Sequence, residues 1–143
     1  MENRNFYNQI LTEHNANPFH KGTLADSTVS LNGVNPSCGD EISLHLKIEN
    51  DIIVDGSFEG FGCAISQAGT DIMLDMIIGQ TKSDAITLFE LFSKMIKGNI
   101  TEEELEELEE ASAFKDISHM PARVKCAMLG WNTLEKALNL KVD

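Results

Sequence analysis

Residues 40–61, with the sequence DEISLHLKIENDIIVDGSFEGF, decide the fold of this chain. From Asp40 to Asn50 apolar and polar residues alternate, which predicts a β-strand with one buried face. A tight turn at residues 49–51 separates this strand from a second one that continues to Phe61. We expect an antiparallel pair whose covered face carries Ile42, Leu44, Leu46 and Ile48 from the first strand and Ile52, Val54 and Phe58 from the second.

The flanking sequence predicts one further strand and several helices. Residues 27–34 favour a weak strand closed by Asn35-Pro36, and a short first helix ends near Glu13, ahead of a proline. Four later helices are expected over residues 63–79, from an N-cap at Ser83 to Gly98, from a capping box at Thr101 and Glu104, and from Pro121 onward. The prediction is one α+β domain over residues 1–143, a small three-stranded antiparallel sheet packed against helices.

Charge and composition exclude several classes of function. The chain has 143 residues and a net charge of −12, with 11 basic residues against 23 acidic ones, so it lacks the cations that bind nucleic acid. It has no apolar run of membrane-spanning length, and residues 1–5 lack the apolar core of a secretory signal, so we expect a cytoplasmic protein without membrane partners. The acidic segment Thr101–Glu110 is interpreted as a solvated helix face, with a docking surface for a basic partner as the alternative.

The cysteines carry the clearest chemical signal. Cys38, Cys63 and Cys126 are an odd number of thiols, which argues against a disulfide framework. With Asp40 they offer four ligands of a type that suits zinc or an iron–sulfur unit. Gly39 allows the backbone to bend so that Cys38 and Asp40 can converge on one point. The cysteines are far apart along the chain, so spacing alone leaves both a shared metal site and three separate buried thiols open.

Charge and the histidines add two smaller expectations. Three thiolates and a carboxylate carry four negative charges, of which zinc neutralises two, and Arg123 and Lys125 could offset the rest. His45 falls on the polar strand face and is expected at the surface, His20 is expected in a loop, and His119 is a minor candidate for a neighbour of Cys126.

Three motifs carry a family resemblance. Residues 35–40 (NPSCGD), 58–66 (FEGFGCAIS) and 123–131 (RVKCAMLGW) closely resemble the IscU/NifU family of iron–sulfur cluster assembly proteins, and residues 7–24 resemble its first helix and Asn-Pro loop. Typical IscU scaffolds have histidine directly before the third cysteine, where this chain has Lys125. That difference and the longer, acidic segment before Cys126 resemble the SufU branch of Gram-positive bacteria.

The resemblance implies a specific activity. It implies zinc bound by Cys38, Asp40, Cys63 and Cys126, and transfer of persulfide sulfur from a SufS-type cysteine desulfurase to Cys38. Arg123 is then expected to stabilise the developing charge or to orient Asp40. The protein would thus be a zinc-dependent sulfurtransferase that supplies downstream iron–sulfur assembly machinery.

Two other functions stay open at this stage. The first is a scaffold that assembles a [2Fe–2S] cluster, or binds iron, on Cys38, Cys63 and Cys126 and then passes the cluster on. The second is a non-catalytic adaptor in which zinc only holds the fold together.

Overall fold

The computed structural model describes the backbone of residues 2–36 and 39–139 and the side chains of residues 9–36 and 39–139. Its elements are α1 (Glu2–Ala16), β1 (Val29–Asn35), β2 (Asp40–Glu49), β3 (Ile52–Phe61), α2 (Ala64–Ile77), α3 (Lys82–Ile96), α4 (Glu102–Glu107), a 3-10 helix (Glu109–His119) and α5 (Pro121–Leu138). The predicted α+β class, with a three-stranded antiparallel sheet and helices, is confirmed.

The sheet is an antiparallel meander in the order β1-β2-β3. Ile42, Leu44 and Leu46 are each no more than 1% exposed, so the alternation of β2 places its apolar side chains in the core. Asn50 and Asp51 join β2 to β3 with φ angles of 53° and 63°. Two consecutive left-handed residues of these types are typical of the two-residue turn that fits the twist of a hairpin.

The expected orientation of Ile52 and Val54 is wrong. Both are 39% exposed, whereas Ile53 is fully buried. The pairing of β2 with β3 shifts between Lys47 and Ile48, because Lys47 pairs with Asp55 while Ile48 pairs with Ile53. Val54 is therefore an extra residue in β3, and one extra residue reverses which side chains face the core.

The helices cover one face of the sheet and bury the single tryptophan. Trp131 of α5 is 1% exposed and stacks on Phe92 of α3, with ring centroids 4.9 Å apart. The predicted N-cap of α3 at Ser83 is wrong, because Thr81 caps this helix by accepting a hydrogen bond from the backbone N–H of Asp84. Both residue types cap helices well, so the sequence alone does not choose between them.

The acidic segment Thr101–Glu110 is attached at both ends. Thr101 and Glu104 form the predicted capping box of α4, and Glu104 also pairs with Lys94 of α3. At the other end, Glu110 accepts a hydrogen bond from the buried His14 of α1.

Among the described residues, no helix has the length and apolar character that a membrane crossing requires.

Candidate metal centre

Three potential ligands from three separate elements meet at one end of the sheet. Asp40 is the first residue of β2, Cys63 is the N-cap of α2, and Cys126 lies in the second turn of α5. One carboxylate oxygen and the two sulfur atoms all lie within 4.8 Å of one another. The fold therefore brings together residues that the sequence separates widely.

The two oxygens of Asp40 have different surroundings. The side chain is fully buried, and its Oδ1 accepts a hydrogen bond of 2.7 Å from the backbone N–H of Cys63. Its Oδ2 lies 3.8 Å from the sulfur of Cys63. One oxygen is thus fixed by the backbone at the start of α2, while the other faces the sulfur and can bind a metal ion.

Gly62 makes this arrangement possible. Its φ angle is +153°, and a Cβ atom at this position would lie 2.3 Å from Oδ1 of Asp40. Any other residue would clash with the carboxylate and adopt a strained backbone conformation. Glycine at this position therefore permits the close approach of the Asp40 carboxylate beside Cys63.

The separation of Asp40 from Cys63 is close to that expected around a tetrahedral metal ion. With Zn–S of about 2.3 Å and Zn–O of about 2.0 Å, a tetrahedral centre places sulfur and oxygen about 3.5 Å apart. The observed separation between Oδ2 of Asp40 and Sγ of Cys63 is 3.8 Å, so a small inward movement would suffice. Two soft sulfur donors with one carboxylate favour zinc or iron over magnesium or calcium.

The predicted fourth ligand, Cys38, lies outside the described residues, so its roles as ligand and sulfur acceptor stay predictions. The neighbouring Gly39 has a φ angle of +73°, a conformation that glycine adopts without strain. Its N–H donates to the backbone oxygen of Asn35, 3.0 Å away. This bond joins the two sides of the β1–β2 connection next to the site.

The two cations named from the sequence are both exposed. In the described part of the chain, the Arg123 side chain makes no ion pair or hydrogen bond, so its action on Asp40 or on a developing charge stays a prediction. Lys125 lines a groove of about 320 Å³ with Asn35 and Pro36, beside the centre. A cation at that place is accessible to an approaching partner.

The contact that Asn35 makes with the centre is not evident from the sequence, where this residue is only the first of the motif at residues 35–40. It is 4% exposed, and its side-chain N–H donates to the sulfur of Cys126 over 3.7 Å. Its cross-strand position opposite Asp40 is the signal that could have revealed it, since paired residues share one face of a sheet.

The histidines contribute no ligand to this group among the residues described. His45 lies on the polar strand face, as expected, but it is less exposed than expected: its side chain is 18% exposed and is hydrogen-bonded to Ser30 and Glu59. His20 lies in a loop, as expected. His119 is exposed and lines a separate cavity with residues of α3 and α4.

Comparison with known proteins agrees with this fold. The family model described as the NifU-like N-terminal domain matches residues 6–140. The chain therefore belongs to the NifU-like N-terminal domain family, and the resemblance seen in the sequence is confirmed.

Three relatives illustrate the range of this family. The chain is 41% identical to an iron–sulfur cluster assembly scaffold protein IscU of Thermotoga maritima, over 92% of each chain. It is 40% identical to the zinc-dependent sulfurtransferase SufU of Bacillus subtilis, over 92% of this chain and 88% of that protein. A crystal structure from Fervidobacterium islandicum, described as a candidate scaffold protein for the SUF system, superposes with a TM-score of 0.87 and 37% identity, covering 94% of this chain and 97% of the other.

Proposed function

We propose that this protein is a zinc-dependent sulfurtransferase of the SufU type, acting in the cytoplasm. It accepts persulfide sulfur from a SufS-type cysteine desulfurase and delivers it to iron–sulfur cluster assembly. The observation that carries the proposal is the convergence of Asp40, Cys63 and Cys126 within 4.8 Å. The likeness to a protein named zinc-dependent sulfurtransferase SufU supports it.

The proposed chemistry is an exchange between a thiolate and a persulfide. Zinc held by Cys38, Asp40, Cys63 and Cys126 would keep the thiols deprotonated near neutral pH. The thiolate of Cys38 attacks the outer sulfur of the desulfurase persulfide, so one S–S bond forms as another breaks. The desulfurase cysteine leaves as a thiolate, which takes up a proton, and no external oxidant or reductant is needed. Cys63 and Cys126 stay in place as anchors.

Exposed apolar side chains beside the centre support a protein partner. Phe61 is 63% exposed and Val34 is 57% exposed, and both pair with Glu41 on the open face of the sheet. Met120, which precedes α5, is 41% exposed. Large apolar groups in water mark sites of association. Val34, Phe61 and Met120 together are called the exposed rim of the centre. We propose that the desulfurase covers this rim when it delivers sulfur to Cys38.

The test is a sulfur-transfer assay with the cognate desulfurase, cysteine and a reductant. Zinc-loaded protein should increase desulfurase turnover and acquire labelled sulfur, whereas Cys38→Ala should acquire none. The matched control is protein stripped of metal and then reloaded with zinc, which should recover the full effect. Unchanged desulfurase turnover with zinc-loaded protein would refute the sulfurtransferase function and favour the non-catalytic adaptor.

A cluster scaffold is the second candidate, because the relative from Thermotoga maritima carries that name. Protein purified without oxygen separates the two functions. One zinc per chain and a colourless solution support the sulfurtransferase, whereas iron, sulfide and a brown colour support the scaffold.

A further inference from the structure

A buried amide contacts the metal centre from the sheet side. Asn35 is the last residue of β1 and is 4% exposed, and its side chain lies on the same face of the sheet as that of Asp40. Its Nδ2 lies 3.7 Å from the sulfur of Cys126, which is within the range of N–H···S hydrogen bonds. The amide belongs to neither the ligand set nor the exposed rim, so the proposed function leaves it without a role.

Two contacts of the Cys126 sulfur bear on its charge state. Its sulfur lies 4.0 Å from the backbone oxygen of Ala122, toward which a protonated thiol can donate. A neutral thiol sulfur accepts the hydrogen bond from Asn35 only weakly, whereas a thiolate accepts it strongly and has no proton to donate. The amide is therefore matched to the charged sulfur, which is the form that binds a metal ion.

The same bond affects the reactivity of the sulfur. A hydrogen bond from N–H to a charged acceptor is stronger than one between neutral groups, especially where water is excluded. It withdraws negative charge from the thiolate and so makes that sulfur a weaker nucleophile. Cys126 is 2% exposed, whereas Cys63 is partly exposed, so burial protects the same sulfur that the amide protects.

We propose that Asn35 is a positioning residue of the metal centre, which orients the sulfur of Cys126 and makes it the least reactive thiolate of the set. This inference rests on the proposed function, since it assumes that the centre takes up a metal ion. Asn35 acts through Cys126 and does not contact the transferred sulfur. Its role is to keep Cys126 on the metal while another thiolate exchanges.

The experiment compares two variants of Asn35 with a matched control on the same strand. Asn35→Leu keeps a similar volume without a donor, and Asn35→Asp replaces the donor by a carboxylate. The control is Asn32→Asp, which adds the same charge on the open face of β1, where Asn32 accepts a hydrogen bond from Ser43. Each full-length protein is titrated with Zn²⁺ against a chelator and, separately, with Co²⁺.

Loss of the N–H donor should weaken Zn²⁺ binding about tenfold to a hundredfold, as for other groups that orient metal ligands. It should also shift the sulfur-to-cobalt charge-transfer band to lower energy, because the thiolate holds its electrons less tightly. Peptide mapping after alkylation of the zinc-loaded protein should find Cys126 modified last in the wild type and earlier in Asn35→Leu. The control should match the wild type in all three measurements.

Three results would overturn the proposal: a folded Asn35→Leu protein with wild-type affinity and an unshifted band, an unchanged order of alkylation, or equal effects in Asn32→Asp. If Asn35→Asp fails to fold, Asn35→Leu decides. A wild-type protein that binds neither metal ion would instead refute the proposed function, so the two failures are distinguishable.

Discussion

Replacing His14 by glutamine tests a buried charged cluster that joins α1 to the rest of the molecule. His14 is 3% exposed, and its Nδ1 and Nε2 lie 2.6 Å from Asp71 and 2.8 Å from Glu110. Ionised carboxylates only accept hydrogen bonds, so both ring nitrogens need a proton. Burial lowers the pKa of His14, but hydrogen bonds to both carboxylates and their charges outweigh this and raise it above 6.5.

The magnitude follows from the environment of Asp71, which is fully buried. Removing one partner of a buried ion pair costs about 3–5 kcal/mol. Asp71 keeps hydrogen bonds from the backbone N–H groups of Phe19 and His20, at 3.1 and 2.8 Å, which places the loss near the lower limit. The Glu110 side chain is 47% exposed, so its part adds at most about 1 kcal/mol. We expect His14→Gln to lower the free energy of unfolding by about 3 kcal/mol at about pH 6.

The effect should depend on pH in one direction. The pKa of His14 is higher in the folded state, so its contribution is complete below about pH 6.5 and is lost as pH rises through the folded-state pKa. The difference in free energy of unfolding between wild type and variant should narrow by at most about 1.4 kcal/mol per pH unit as pH rises through the folded-state pKa. It does not close, because a neutral His14 still donates to one carboxylate.

Urea unfolding of the metal-free protein, followed by circular dichroism between about pH 5.5 and 9, measures both effects. The matched control is His45→Gln, a half-buried histidine with one carboxylate partner, Glu59, which should cost less than about 1 kcal/mol. A loss below about 1 kcal/mol for His14→Gln, or a gap that is constant with pH, would refute a buried imidazolium.

Three further predictions concern the metal centre and its rim. Gly62→Ala should destabilise the metal-free protein by about 2 kcal/mol or more and weaken zinc binding, because the new Cβ meets Asp40. Unchanged melting and zinc titration curves would contradict this. Phe61→Asp should raise the concentration of this protein that half-activates the desulfurase about tenfold or more. Ile52→Asp, at the other end of β3, should not change that concentration, and equal effects of the two variants would place docking elsewhere. Zinc at about a thousandfold excess over its Kd contributes about 4 kcal/mol, so chelation should lower the melting temperature by about 10 °C, and equal melting curves would refute a bound ion.

Local patterns in the sequence predicted most of the secondary structure. The strict alternation in β2 placed its apolar side chains correctly because a strand turns successive residues to opposite faces. The same rule failed for Ile52 and Val54, since the extra residue in β3 is a property of the pairing with β2. The residue pattern of one strand does not show such an extra residue.

The sequence by itself determined the fold class and, through its motifs, the family, and it singled out the candidate ligands. These depend on local periodicity and on residue types at particular places in the chain. Only the tertiary structure decided that ligand atoms of Asp40, Cys63 and Cys126 lie within 4.8 Å of one another, that Asn35 donates to Cys126, and that His14 bridges two carboxylates. Each of these contacts joins residues from different elements, and the packing of the whole core, which local patterns do not specify, sets the distances between them.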